Sequence, residues 1–175
     1  MNWFTSDEHY NHTNIITKFV FRPFRDADNM NHILISRHNS RVATGDTVYH
    51  LGDFRVSNDG PSFQELVPQL NGRHVFIKGN HDKNNGVRGC QEYGVIQLYS
   101  EPVLLIHRPE DAVRLMEKLS IKIAFVGHVH EKWKFLPLPC GTLINVGVDQ
   151  WDYYPIHAKQ IFKALKGEQN GNAVR

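Results

Sequence analysis

Apolar residues in this chain fall into short runs of strand length, separated by stretches in which they recur every three or four positions; the alternation predicts strands and helices in turn. Asn2 to Ser6 reads as a strand that leads straight into Asp7-Glu8-His9. The polar and basic stretch from Tyr10 to Asp28 reads as loop, with a turn of helix at Asn14 to Phe19. From Asp28 to about Arg41, Met30, Ile33, Leu34 and His38 share one helical face, and Gly45 lies just past its end. Thr47 to Leu51 is a buried strand closed by Gly52-Asp53. Ser62-Phe63-Gln64-Glu65 has the form of a capping box, and Phe63, Leu66, Val67 and Leu70 make one face of a helix that Asn71-Gly72 ends. His74 to Lys78, Val95 to Tyr99 and Val103 to Ile106 are strands, Glu110 to Leu119 a helix, and Ile121 to Val126 a strand. Trp133 to Leu136 and Thr142 to Val146 read as a hairpin pair. His157 to Lys166 reads as an amphipathic terminal helix stopped by Gly167. This order predicts an α/β protein with a layered core.

Length adds that 175 residues fit one domain, here 1–167, followed by a polar stretch, 168–175, expected to be disordered. A composition of 41% hydrophobic and 22% charged residues excludes a disordered or low-complexity chain. Two cysteines, Cys90 and Cys140, are too few for a disulfide framework and suit a reducing compartment. No run approaches the roughly 18 apolar residues of a membrane span. The first residues lack the basic region and apolar stretch of a signal peptide, so a cytoplasmic protein without a membrane partner is expected. A net charge of +2 neither demands nor excludes a polyanion. The eleven histidines are several more than a domain of this length carries, and metal binding or catalysis should account for some of them.

Where the polar residues fall is more telling. Five strands end in Asp, Asn or His, at Asp7 and His9, Asp53, Asn80, His107, and His128 and His130. In open α/β sheets ligands bind beyond the carboxyl ends of strands, so these groups could converge. Asp7 and His9 are two apart in extended chain and point the same way, and His128 and His130 repeat the spacing. With Asp53, Asn80 and His107 they make seven nitrogen and oxygen donors and no thiolate. That is too many for one tetrahedral zinc and suits two borderline transition metals sharing a carboxylate. Each fragment alone is ordinary turn or core chemistry; the conjunction carries the reading. Gly45-Asp46 competes with Gly52-Asp53, but it precedes the apolar strand Val48 to Leu51, which makes Asp46 a turn residue.

Asp7-x-His9, Gly52-Asp53, Gly79-Asn80-His81-Asp82, His107 and Gly127-His128-Val129-His130, in that order, resemble the calcineurin-like metallophosphoesterase superfamily over about Trp3 to Pro155. Its small bacterial and phage members also have stretches similar to Asn11-His12-x-Asn14-Ile15-Ile16, Arg22-Pro23-Phe24 and Asn145-Val146-Gly147-Val148-Asp149. The resemblance implies two packed mixed β-sheets flanked by helices, with a dinuclear site at their edge. It gives Asp7, His9 and His130 to a first metal with Asp53. Asp53 bridges to a second metal held by Asn80, His107 and His128. The activity implied is hydrolysis of phosphate esters by a metal-bridging hydroxide, diesters favoured over monoesters. Manganese is the favoured metal, with iron, zinc or nickel admitted by the same donors. His81 is expected to protonate or stabilise the leaving oxygen, and Asp82 to orient His81.

Arg55 and Arg108, beside Asp53 and His107, are candidate phosphate contacts, with Arg22 and Arg25 behind them. His12, on the loop after His9, is a candidate substrate contact. His32, His38, His50, His74 and His157 read as packing or surface residues. The substrate is a phosphate ester, with a nucleotide or nucleic-acid end as one form. Gly52-Asp53-Phe54-Arg55 lacks the Asp-Arg-Gly continuation of the protein serine/threonine phosphatases and departs from that branch. The alternative from another class is a scaffold module that keeps the fold without catalysis.

Overall fold

The computed structural model describes residues 1–56 and 59–172. In chain order its elements are β1 (Asn2–Thr5), α1 (Ala27–Arg41), β2 (Thr47–Leu51), α2 (Phe63–Leu66), β3 (Arg73–Ile77) and β4 (Gly94–Leu98). There follow β5 (Glu101–Leu105), α3 (Pro109–Leu119), β6 (Ile123–Val126), β7 (Phe135–Leu138), β8 (Gly141–Asn145), β9 (Ile156–His157) and α4 (Ala158–Asn172). The strands form two mixed sheets, ordered β3-β2-β1-β9 and β4-β5-β6-β8-β7. In the first, β1, β2 and β3 are parallel and β9 runs against β1. In the second, β5, β6 and β8 are parallel, and β4 and β7 are antiparallel edges.

Side-chain alternation along the strands decides which faces meet. Phe4, Leu51 and Ile77 of the first sheet pack with Val103, Leu105, Phe125 and Ile144 of the second in one buried cluster, together with Ile161 and Leu165 of α4. The rings of Phe4 and Phe125 meet edge to face at 4.8 Å across this interface. The neighbouring residues of the second sheet, Leu104, Ala124 and Leu143, face the other way onto Ala112 and Met116 of α3. Met30, Leu34, Leu66 and Phe76 build a third cluster where α1 and α2 cover the first sheet. The layered α/β core is therefore as the sequence predicts, and its two mixed sheets flanked by helices are as the family resemblance implies. Its consequence for chemistry is that both sets of parallel strands bring their carboxyl ends to the edges where Asp7, Asp53, Asn80, His107 and His128 lie.

Three elements differ from the sequence reading. The helix after Ser62 keeps its capping box, with the Ser62 N–H donating to Glu65 Oε2 at 2.8 Å, but α2 ends at Leu66. Pro68 has no N–H to continue it, and Val67–Gln69 close into a 3₁₀ turn. The hairpin sits two residues later than predicted on its first strand, because the turn falls at Pro139-Cys140 and pairs Leu138 with Gly141. Pro137 is accommodated since β7 is an edge strand. Finally, α4 runs through Gly167 to Asn172. A glycine inside a helix costs only about 1 kcal/mol against alanine, and an added Cβ there would meet no neighbour. Of the tail expected to be disordered, residues 173–175 lie outside the described residues.

Phe125→Ala removes the ring that joins the two sheets. It is expected to cost about 3 to 5 kcal/mol, read as a lower urea midpoint with an unchanged slope.

Candidate metal centre

The parallel ladder of β1 and β2 does not stop at the strand ends. The N–H groups of Asp7, His9 and Tyr10 donate to the carbonyls of Gly52, Asp53 and Phe54 at 3.0, 3.0 and 2.9 Å, which sets the two loops side by side. There the backbone takes a costly form. Asp7, His9, Asp53, His128 and His130 have φ of 58°, 54°, 54°, 73° and 48°. Non-glycine residues adopt this left-handed region in only a few per cent of cases, at roughly 1 to 3 kcal/mol each. Five of the seven predicted ligands are so held. Two glycines make the room: a Cβ on Gly79 would overlap the Asp53 carboxylate, and one on Gly127 the Ser6 hydroxyl and the Asp7 carboxylate.

Two donor groups result. Ligand atoms of Asp7, His9 and His130 all lie within 4.8 Å of one another, as do those of Asp53, His107 and His128. Asp53 stands between them, with Oδ2 3.7 Å from His9 Nε2 and 3.3 Å from His107 Nε2. Asn80 joins the second group through Oδ1, 3.2 Å from His107 Nε2. All seven residues read from the sequence as metal ligands are thus brought together.

Hydrogen bonds on the far side of the rings fix which nitrogen is available. His107 Nδ1 is 2.7 Å from the Leu51 carbonyl and His130 Nδ1 3.0 Å from Asp149 Oδ2, so each ring donates there and turns Nε2 toward the donor groups. His9 Nε2 is decisive. It is buried without a hydrogen-bond partner, although Asp7 Oδ1 lies 4.0 Å and Asp53 Oδ2 3.7 Å away. A desolvated imidazole nitrogen among carboxylate oxygens is costly unless a cation satisfies it, so the residues present fit a metal.

Charge follows the same geometry. Burial pushes the Asp7 carboxyl up, opposed by His107 and His130. Burial also works to raise that of Asp53, but the His107 hydrogen bond and charge outweigh it and hold Asp53 below the ordinary carboxylate range. The His107 imidazole is opposed by its burial, yet the Asp53 hydrogen bond and the Asp7 and Asp53 charges lift it to about 9. The neighbouring Glu8 takes no part. It turns to His50 Nδ1 at 2.5 Å, and burial drives its carboxyl up to about 8 and the His50 imidazole down to about 3, which leaves a neutral pair.

The residues read for substrate chemistry divide. His81 lies at the mouth, its side chain 44% exposed with Nε2 3.9 Å from Asp53 Oδ2, and its N–H donates to Asp53 Oδ1 at 2.8 Å. Asp82 does not meet the His81 ring as expected. Its carboxylate accepts from the backbone N–H groups of Asp53, Phe54 and Gly79 at 3.0, 2.9 and 2.7 Å and so clamps two ligand loops together. Arg55 is no open phosphate contact either; it is buried, donating to the Pro61 and Asn85 carbonyls at 2.9 and 2.7 Å. A long side chain in a loop that folds back on its neighbours finds carbonyls before it finds solvent. Arg108 stays open, paired at 3.4 Å with Glu110. His12 stacks on His9, Nδ1 to Nδ1 at 3.0 Å, and borders the site.

Sequence reasoning gave Arg22 a different task and Asp149 none. The Arg22 guanidinium meets both Asp149 oxygens at 2.8 Å and donates to the carbonyls of Asp7 and Glu8 at 2.6 and 2.9 Å. One buried fork therefore ties the backbone of one ligand to the carboxylate that holds the ring of another, His130. The only advance signal is that both residues fall in the stretches quoted for the resemblance.

The model of the calcineurin-like phosphoesterase superfamily domain matches residues 4–147. The chain belongs to that superfamily. An uncharacterized protein of Methanocaldococcus jannaschii, MJ1445, is 36% identical over 175 residues, covering 97% of this chain and 92% of that one. A crystal structure of a protein of unknown function from Aquifex aeolicus, AQ665, superposes with a TM-score of 0.76 at 27% identity, covering 94% and 98% of the two chains. Vps29 from Entamoeba histolytica, in a structure complexed with zinc, shares the phosphoesterase fold at a TM-score of 0.50 and 18% identity, covering 83% of this chain and 73% of that one.

Below pH 9 a cation entering the Asp53 group must expel the proton that His107 carries. Affinity is therefore expected to rise with pH up to about 9, with release near pH 7 of about one proton per cation at that group, measurable by calorimetry in buffers of different ionisation enthalpy. Asp149→Asn keeps a hydrogen-bond acceptor for His130 but loses the charge. A chelator competition should find one cation held about 10- to 100-fold more weakly and a second unchanged.

Proposed function

We propose that this superfamily member is a phosphoesterase dependent on two divalent cations, acting on diesters in preference to monoesters. The reading rests above all on Asp53, one buried carboxylate shared between two donor groups, with the partnerless His9 Nε2 beside it. Asp7, His9 and His130 would hold one cation, and Asn80, His107 and His128 the other. When bound, the pair, manganese favoured over iron, zinc or nickel, acidifies water and neutralises charge on the phosphoryl oxygens. Asp82 keeps the Asp53 and Asn80 loops in place, while Asp149 and Arg22 orient His130. His81 reaches solvent at the rim, where Nε2 can give a proton to the departing ester oxygen. Diesters are favoured because clefts of about 500 and 540 Å³ adjoin the centre, beside Asn80 and His107 and beside His12, so each ester arm has room. Among the described residues no helix is long and apolar enough to cross a membrane, and the free thiols of Cys90 and Cys140 suit the reducing cytoplasm.

Hydrolysis of bis-p-nitrophenyl phosphate across manganese, iron, nickel and zinc tests the proposal. His81→Ala should retain both cations and lose turnover by about 10²-fold or more, whereas Asp53→Ala should lose metal. Absence of hydrolysis with all four metals would leave the scaffold reading in its place.

A further inference from the structure

The two clefts differ in charge. The one beside His12 is bordered by Asp26, Asp28 and Asp59, Asp26 being paired with Arg25 at 2.7 Å, and among the described residues its lining has no Lys or Arg. The one beside Asn80 and His107 carries Lys78, Arg108 and Arg114 against Glu92 and Asp111, with Tyr93, Ile106 and Leu115 as apolar surface. An anionic ester arm is repelled from the first and drawn to the second.

The second cleft also has a direction. Helix α3 links the parallel strands β5 and β6, so it starts at the site edge and runs back along the sheet away from the centre. Arg108 is its N-cap residue, next to the ligand His107. Arg114 lies six residues on, a rise of about 9 Å. It therefore lies farther from the ligand His107 along α3 than Arg108 does, in the lining of the same cleft. The same cleft offers a flat aromatic ring, Tyr93, which is 44% exposed, and Ile106 and Leu115 add apolar lining. The cations are free to change partners: Arg114 is 80% exposed and its pair with Asp111 is 3.7 Å long, while Arg108 is 43% exposed. Exposed pairs of this kind hold weakly, and a phosphate is the stronger acceptor for an arginine fork.

We propose that this cleft binds a nucleoside bearing a second, non-scissile phosphate, with the base against Tyr93 and that phosphate on Arg114. The assignment rests on the phosphoesterase reading for the reaction, and it makes the preferred substrate a nucleotidyl diester with a neighbouring phosphate, as at the end of a nucleic-acid strand. Aromatic stacking with a basic rim is the usual means of holding such an arm without reading its sequence.

The test is calorimetry on the full chain loaded with manganese, comparing thymidine 3′,5′-bisphosphate with thymidine 5′-monophosphate. The bisphosphate should bind about tenfold more tightly or better, as a charge-assisted contact to one phosphate provides. Arg114→Ala should bring the two to near parity. Tyr93→Ala should weaken both nucleotides alike and leave their ratio. Parity in the unaltered protein, a preference that survives Arg114→Ala, or undiminished binding in Tyr93→Ala would overturn the assignment. The p-nitrophenyl esters of the same two nucleotides separate this from the reaction itself. A binding preference with no hydrolysis of either ester removes the phosphoesterase reading and keeps the cleft; hydrolysis of both at equal kcat/KM, with parity in binding, does the reverse.

Discussion

Asp53 is the point on which the two halves of the molecule depend. Its carboxylate is buried at the end of β2 in one sheet, and Oδ2 lies 3.3 Å from His107 Nε2 at the end of β5 in the other. A buried carboxylate demands positive charge, and here His107 of the second sheet brings it first, with His81 beside it. The Phe4 and Phe125 contact, deep in the same interface, sets how the sheets lie against each other. Hydrophobic packing between the sheets thus fixes the spacing of a polar site on their edge, because close-packed interiors transmit small shifts instead of absorbing them.

Around Asp53 several ligands, Asp53, Asp7 and His130 among them, are braced by residues that touch no reacting atom. Asp82 draws the amides of Asp53 and Gly79 to one carboxylate, and Arg22 with Asp149 ties the Asp7 backbone to the His130 ring. Asn145 adds a further brace, accepting from the Gly147 N–H and donating to the His130 carbonyl. These residues explain why Asp and Asn are plentiful near the site without all being ligands. A carboxylate that accepts several backbone N–H groups closes a loop as firmly as a short strand does.

Most of this was legible in the sequence for a physical reason. Asp7, His9, Asp53, His107 and His128 follow apolar runs directly, and chain direction in a parallel sheet places the ends of such runs on one edge. Capping at Ser62 and the buried face of α1 were legible because they depend on residues three or four apart. What escaped was set by long-range partners. Nothing local distinguishes Asp82, which binds backbone amides, from an Asp that would hold the His81 ring. Arg55 sits beside a ligand in sequence, yet its guanidinium is taken up by Pro61 and Asn85. Arg22 and Asp149 are 127 positions apart, and only the folded chain makes them a pair. The end of α2 is a different case, since Pro68 stands within the apolar face and its missing N–H outweighs the periodicity that continues through it.

The site also carries a cost that bears on how it is kept. Five ligands in left-handed backbone, at roughly 1 to 3 kcal/mol each, together amount to a strain as large as the roughly 5 to 15 kcal/mol by which a domain is ordinarily stable. The paired sheets and the braces must outweigh that strain, since no local preference favours it. A ligand that binds only the folded form returns stability in proportion to the logarithm of its concentration over its dissociation constant. Cations seated at Asp53 would satisfy His9 Nε2 and offset the strain at once. The conformation that is expensive for the bare backbone is, on this argument, the one whose donors are already in place, so little further ordering is asked of the chain when a cation arrives.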